Sequence, residues 1–480
     1  MSRSLKTIFS YARLPKKELI RFKNKARELG IEIVATAAHD GEQKNATEVI
    51  PSGIHRKWAE YSSQKHWTEK LNKKLFDQLI DQLNPALLPM VERYGPFNGG
   101  SLEAATRLNY DFSVALEMIE KTSPDLVVFA KTPESGLEIC LYLLAKHYDI
   151  PTYFSCEGGF PHSRTIKTNL WNPTLDECWT PNEKTIPICN LDKPGIQLSN
   201  LTKKNLEEIR DSELVRIPDY MENEGLQFNK HNKNLQLDMG YSIRNAISLN
   251  KNIFSGPGFR KKLFEYSERL SVSLEEINWS KFTFYYPLHY QPELTSMPLG
   301  KEYVNQIMSI KIISDNLKSN EQIVVKEHPS IFAKTSRTNT NYRTTSFFDW
   351  LNKIPNVKLA SVNSSSFYIM MRSNAVITIR GTVGMEAMIR HIPVLILGSA
   401  SYQNGPGVVK IGNDCDINFY LDKIRHSTEY NDSEVDKFLI ALDGCSYHLA
   451  ESPFSTENYE EIIQTFYITT LLEGLRKVYS

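Results

Sequence analysis

The sequence predicts an α/β protein built from two doubly wound parallel sheets. Three observations carry this. Short apolar runs alternate with helical stretches. Many of these runs end in turns that hold Gly, Pro, Ser or His. The series occurs twice, with a polar segment between the two occurrences. At 480 residues the chain has room for two or three domains, each burying its own core.

The first series opens with LKTIFSYA (5–12), an apolar, β-prone run. Residues 15–30 have helical spacing and end on Gly30, a suitable C-cap. IEIVATAAH (31–39) follows as a short buried strand. Trp67 to Tyr94 reads as a long amphipathic helix, with Leu75, Leu79, Ile80 and Leu83 on its apolar stripe. PDLVVFA (124–130), SGLEICLYLLAKHYD (135–149) and IPTYFSC (150–156) form a strand–helix–strand unit. Such a unit implies parallel strands covered on both faces. A Gly-rich loop from Glu157 to His162 comes next.

Residues 190 to 278 are polar and rich in Asn and Lys, and read as helices joined by loops. An insertion, a lid and an interdomain region all fit. The second series begins with the strand KFTFYYPLH (281–289) and the helix 301–317. QIVVKEHP (322–329) is a strand stopped by its proline. VKLASV (357–362), FYIMMRS (367–373), AVITIRG (375–381), TVGMEAMIRHI (382–392) and PVLILG (393–398) continue the alternation. Residues 459–479 read as a closing helix. The expected division is a Rossmann-like domain over 1–278 with a helical insertion at about 190–278, a second over 279–455, and a helix over 456–480 packing back on the first. Ligands of such sheets lie at the carboxyl ends of the strands, so the residues that do chemistry should follow strands.

Composition narrows the function. Lys plus Arg and Asp plus Glu both number 56, so the net charge is zero and a long nucleic acid is a poor partner. Charged residues at 23% and apolar ones at 41% describe an ordinary globular chain. The six cysteines form no C-x-x-C pair, so neither a zinc ribbon nor a thioredoxin-type site is expected, and reduced buried thiols of a cytoplasmic protein fit better. The N-terminal residues lack the apolar core of a secretory signal, and no run is long enough to span a membrane. Attachment to the inner face of the cytoplasmic membrane stays open.

Five motifs follow strands. In Lys326-Glu327-His328-Pro329 the proline ends the strand and His328 is placed to donate to a phosphate. The plainer reading is a strand end with an incidental histidine. Asn363-Ser364-Ser365-Ser366 precedes a helix, where serines cap free N–H groups and the same geometry holds an anion. Arg380-Gly381-Thr382-Val383-Gly384-Met385-Glu386 opens a helix. Its glycines permit close backbone approach, and Glu386 could accept from a ribose diol or serve only as a capping carboxylate. The pattern is neither a P-loop nor G-x-G-x-x-G. His289-Tyr290-Gln291-Pro292-Glu293 places a carboxylate suited to a nucleophile or electrostatic stabiliser, with Gln291 and His289 to position a sugar. An ordinary Pro turn is the alternative. In Cys156-Glu157-Gly158-Gly159, Glu157 could be a general base with Gly158 giving the acceptor access, or the Gly pair is only a turn.

VVKEHP, SVNSSS and AVITIRGTVGMEAMIRHIPVLILGSASY resemble the capsule polysaccharide biosynthesis family of bacterial glycosyltransferases, best over about 281–405 and more briefly over 124–162. That family includes Kdo transferases and is similar in layout to bacterial sialyltransferases. The resemblance implies a GT-B fold, two Rossmann-like domains facing across a cleft, and a CMP-linked ulosonic acid donor. It implies that His328 contacts the donor phosphate, that Ser364 and Ser365 bind phosphate, and that Glu386 binds the ribose. Lys326, Pro329, Ser366, Gly381 and Thr382 complete the expected nucleotide site. Glu157 falls at the acidic-Gly position of the acceptor domain, although Cys156 stands where a second acid is frequent. Gln291-Pro292-Glu293 resembles the Gln-x-Asp motif of retaining Kdo transferases, which makes Glu293 a candidate nucleophile. Otherwise Glu157 as base gives an inverting reaction. No cofactor and no metal is expected. The acceptor is expected to be a glycan or lipid-linked glycan. Transfer from a UDP- or GDP-sugar, UDP-sugar 2-epimerisation, and a non-catalytic glycan-binding role in capsule assembly are the alternatives.

Overall fold

The computed structural model describes residues 4–11, 16–38, 49–51, 72–80, 101–130, 132–133, 135–157, 163–167, 200–211, 226–229, 234–237, 257–293, 296–297, 300–332, 343–412, 416–444 and 447–448. The chain divides into one unit of residues 1–185 with 444–480, and another of residues 186–443.

The first unit runs β1 (Leu5–Tyr11), α1 (Lys16–Glu28), β2 (Ile31–Ala38), β3 (Val49–Pro51), α2 (Lys73–Ile80), α3 (Ser101–Thr122), β4 (Leu126–Phe129), α4 (Gly136–His147), β5 (Thr152–Glu157) and β6 (Ser163–Lys167). The sheet order is β6-β5-β4-β1-β2-β3, with the short strand Tyr447–His448 outside β6. β1 to β5 pair in parallel, while β6 and the terminal strand are antiparallel. Every residue of β4 is buried, as a strand covered on both faces requires. α4 starts at a capping box, in which Ser135 and Glu138 each satisfy the other's backbone N–H. Of the expected helix over 67–94, only Lys73–Ile80 lies among the described residues.

α3 has no counterpart in the sequence reading. Ala104, Leu108, Phe112, Leu116 and Ile119 are all buried, and so are Arg107 and Asp111, paired at 2.8 Å. A helix that buries an ion pair on its inner face shows no clean apolar stripe.

The second unit runs α5 (Asn200–Arg210), β7 (Leu226–Asn229), β8 (Asn234–Leu237), α6 (Pro257–Leu270), β9 (Phe282–Pro287), α7 (Gln306–Ser314), β10 (Glu321–Lys326), α8 (Thr345–Lys353), β11 (Val357–Ala360), α9 (Ser366–Arg372), β12 (Ala375–Thr378), α10 (Thr382–Ile389), β13 (Val394–Ile396), β14 (Val408–Lys410), α11 (Ile417–Arg425) and α12 (Asp432–Gly444). Its sheet order is β11-β10-β9-β12-β13-β14, all parallel. Phe284, Tyr286, Ile323, Val325, Ile377 and Leu395 build the core beneath it.

Both units are therefore Rossmann-like α/β layers, as the sequence predicts. The segment 190–278 behaves differently from its expectation. Its described residues include the antiparallel hairpin β7–β8 besides the helices α5 and α6, and these elements belong to the second unit. Arg210 of α5 pairs with Asp436 at 2.7 Å and Asp432 at 2.9 Å, Thr202 bonds to Asp443, and α6 packs on α8. The expected boundary at 278 thus lies inside the second unit, because these polar contacts tie the upstream helices to it. The expected helix 301–317 is a 3₁₀ turn (Lys301–Val304) followed by α7, since Asn305 accepts from Met308 N and starts a new helix. The expected helix 456–480 lies outside the described residues. Among the described residues no helix is long and apolar enough to cross a membrane.

Candidate functional site

The second sheet has the strand order 3-2-1-4-5-6, counting from β9. The crevice of such a sheet opens where the order reverses, between β9 and β12. All six strands are parallel, so the turns after β11, β10, β9 and β12 leave the sheet at one end. Those turns hold Ser361–Ser366, Glu327–Ser330, Leu288–Glu293 and Ile379–Gly381. The sequence-predicted residues of the second unit are thereby gathered along one sheet edge.

At the reversal point β9 and β12 are joined by His289. Its Nε2 accepts from Ile379 N at 3.2 Å and lies 3.1 Å from Thr378 Oγ1. Thr378 Oγ1 also accepts from Gly381 N at 3.0 Å. With Nε2 an acceptor, the ring proton belongs on Nδ1. Nδ1 faces Glu293 Oε1 at 3.9 Å, and the Glu293 side chain is 25% exposed. Burial, then the charges of Arg380 and Arg343, push His289 down to about 3, so it stays neutral. Gly381 sits against this ring: a Cβ there would stand 3.1 Å from His289 Cε1. Gln306 at the start of α7 braces His289 from behind, accepting from its N–H at 2.7 Å and donating to its carbonyl at 3.1 Å.

The Gln291 side chain is spent inside the protein. Its Nε2 donates to Val304 O at 2.8 Å, and its Oε1 accepts from Arg343 at 3.2 Å.

After β10, the buried Glu327 carboxylate accepts from His328 N at 2.8 Å and from Arg343 Nε at 2.6 Å. His328 Nδ1 accepts from Ser330 N at 3.3 Å, which leaves its proton on Nε2. Burial, then Lys326, His289 and Arg343, push His328 down to about 3. Its ring lies 5.8 Å from that of Tyr290. Pro329 is buried and starts a 3₁₀ turn. Lys326 is 2% exposed, and burial lowers it to about 8 against the raising influence of Glu327 and Glu268.

The serine turn is held from α6. Glu268 accepts from Ser361 Oγ at 2.7 Å and from Val362 N at 2.8 Å. Ser364 and Ser365 are buried, and Ser366 is the first residue of α9. The Ser365 and Ser330 hydroxyls are buried and find no hydrogen-bond partner among the described residues. A buried hydroxyl without a partner carries a desolvation penalty that a bound acceptor would relieve.

After β12, Gly381 caps α10, Thr382 is its exposed first residue, and Glu386 lies one turn in. Tyr402 packs against Gly384 and donates to Gly381 O, fixing the helix entrance.

Glu157 ends β5 in the first unit; its side chain and Gly158 lie outside the described residues. The sequence reading missed Arg343, Glu268, Thr378 and Tyr402. Thr378 and Tyr402 stand within the quoted stretch AVITIRG…GSASY, whereas Arg343 and Glu268 belong to no motif. Among the described residues no group of three or more His, Cys, Asp or Glu is placed to hold a metal ion.

Residues 301–426 match the family model described as capsule polysaccharide biosynthesis protein. No curated protein matches the chain. Solved structures similar to it include UDP-GlcNAc 2-epimerase from Neisseria meningitidis, at 14% identity and TM-score 0.28, covering 98% of this chain and 100% of that one. The beta Kdo 2,4 transferase of Thermosulfurimonas dismutans KpsC covers 67% of this chain and 78% of its own, at 12% identity and TM-score 0.35. The beta Kdo 2,7 transferase of the same protein covers 76% and 96%, at 11% identity and TM-score 0.31. Likenesses of this size carry no argument about activity. The family match spans the turn after β10, the serine turn and the entrance of α10, the stretch in which the motifs resemble that family.

Proposed function

We propose that the chain is a glycosyltransferase of bacterial surface polysaccharide synthesis, acting in the cytoplasm on a glycan or lipid-linked glycan acceptor. The donor in this reading is a CMP-linked ulosonic acid. The observation that carries it is the pair of buried hydroxyls, Ser330 and Ser365, without a partner among the described residues, on two turns at the family-matching sheet edge.

Each residue then has a task its geometry permits. His328 is neutral with its proton on Nε2, so it donates to a phosphate oxygen without adding a formal charge. The Ser364, Ser365 and Ser366 turn supplies hydroxyls and helix N–H groups, and Lys326 supplies positive charge from below the surface. Glu386 accepts from a ribose diol. As the bond between anomeric carbon and phosphate breaks, negative charge grows on the departing phosphate, and these fixed donors stabilise it. Two routes remain for the anomeric carbon. Glu293 attacks it to form a glycosyl-enzyme, or Glu157 deprotonates the acceptor hydroxyl for direct displacement. The GT-B arrangement, with the acceptor held by the first unit, belongs to this proposal. So does transfer without a metal ion.

The test is a panel of CMP-, UDP- and GDP-sugars, with donor consumption followed by mass spectrometry in chelator. Turnover of a CMP-sugar is expected, and Glu293→Gln should abolish any covalent glycosyl-enzyme. Turnover only of UDP- or GDP-sugars overturns the donor assignment, and no turnover of any activated sugar overturns the transferase. Activity lost to chelator and restored by Mg²⁺ overturns metal independence.

A further inference from the structure

Arg343 lies outside every motif, yet its guanidinium engages three acceptors at the sheet edge. The side chain is 2% exposed. Each nitrogen has its own acceptor: Nε donates to Glu327 Oε2 at 2.6 Å, one terminal nitrogen to Gln291 Oε1 at 3.2 Å, and the other to His289 O at 3.0 Å. Phe347 of α8 covers its face, with the ring centroid 4.3 Å away. The three acceptors come from two different turns. Glu327 passes the constraint on, because its other oxygen accepts from His328 N at 2.8 Å.

We propose that Arg343 is the positioning residue of the reaction centre: its fork holds the His289–Glu293 turn and His328 at one fixed spacing. For what that spacing is used for, the inference rests on the proposed transferase reading; the spacing itself does not depend on it. A plain core ion pair would need one acceptor, not three spread over two turns. The guanidinium carries these donors on three separate nitrogens in one plane, whereas an ammonium's three donors radiate from a single atom and do not reproduce the fork. Two reacting groups on separate turns must be registered to within a fraction of an ångström, and a shift of about 1 Å costs on the order of 100-fold in rate.

Two variants test this. Arg343→Lys keeps a charge beside Glu327 but loses the fork. Arg343→Met with Glu327→Gln removes both buried charges together, so neither is left orphaned. Each is compared with the parent in two ways: NMR of the His328 and His289 imidazoles and the Gln291 side-chain amide without substrate, and donor turnover with KM and kcat separated. The expected result for folded variants is displaced His328 and Gln291 resonances, with kcat down about 100-fold and donor KM little changed. Resonances in place and kcat within about twofold of the parent in either folded variant overturn the positioning role. If the parent protein turns over no activated sugar, the transferase reading fails, and the resonance comparison still decides whether Arg343 sets the spacing.

Discussion

Replacing Gly384 by alanine isolates the packing at the entrance of α10. In an exposed helix the change would stabilise by about 1 kcal/mol. Here the added Cβ would run into the Tyr402 hydroxyl and stand 2.8 Å from two of its ring carbons. That ring cannot swing aside freely, because it is 3% exposed and its hydroxyl is bonded to Gly381 O. Overpacking of this kind costs about 1–3 kcal/mol, and breaking the hydroxyl's bond adds about 1 kcal/mol. Set against the helix gain, the net expectation is destabilisation of about 1–3 kcal/mol. Urea unfolding of Gly384→Ala measures it. Adding Tyr402→Phe removes the worst contact and should return part of the loss. A Gly384→Ala protein as stable as the parent, or more so, would refute the reasoning, since the tyrosine would then not be pinned.

Two further perturbations separate ligand binding from folding. Ser365→Ala removes a buried hydroxyl that has no partner among the described residues and makes no cap bond, so the melting temperature should hold or rise by a few degrees. Calorimetry should show the donor nucleotide bound about 10-fold more weakly, and lost stability with intact nucleotide affinity would contradict the assignment. His289 is held at about 3 when folded, against about 6.5 when unfolded. Between these values the unfolded chain binds a proton that the folded one refuses. Stability therefore falls as pH drops below about 6.5, with a slope approaching about 1.4 kcal/mol per pH unit from this group. His289→Gln should flatten the urea-midpoint profile between neutrality and about pH 5; an unchanged slope sinks the claim.

Much of the architecture was readable in the chain. A strand such as Leu126–Phe129, apolar on both faces, announces a covered parallel sheet in the first unit, and in the second unit His328 and the serines follow strands as a parallel sheet demands. Four of the described helices escaped: α3, α8, α11 and α12. α3 carries a buried Arg107–Asp111 pair among its apolar residues, and α8 is short and rich in Phe and Trp, which favour strands. The site was legible wherever a residue's role follows from its place after a strand. It was not legible for Arg343 or Glu268, whose partners lie 16 to 54 and 93 to 95 positions away. Gln291 shows the converse. The sequence marks it for sugar contact, while both ends of its amide are bonded within the protein.

The Glu268 carboxylate has a bearing on how such proteins are recombined. The family-matching stretch begins at residue 301, but the group that seats its serine turn sits on α6, a full strand earlier. A graft cut at the edge of the recognisable sequence would bring the turn without its brace. The transferable module starts no later than Pro257, and a chimera joined downstream of α6 would need its host to offer a carboxylate at the same place.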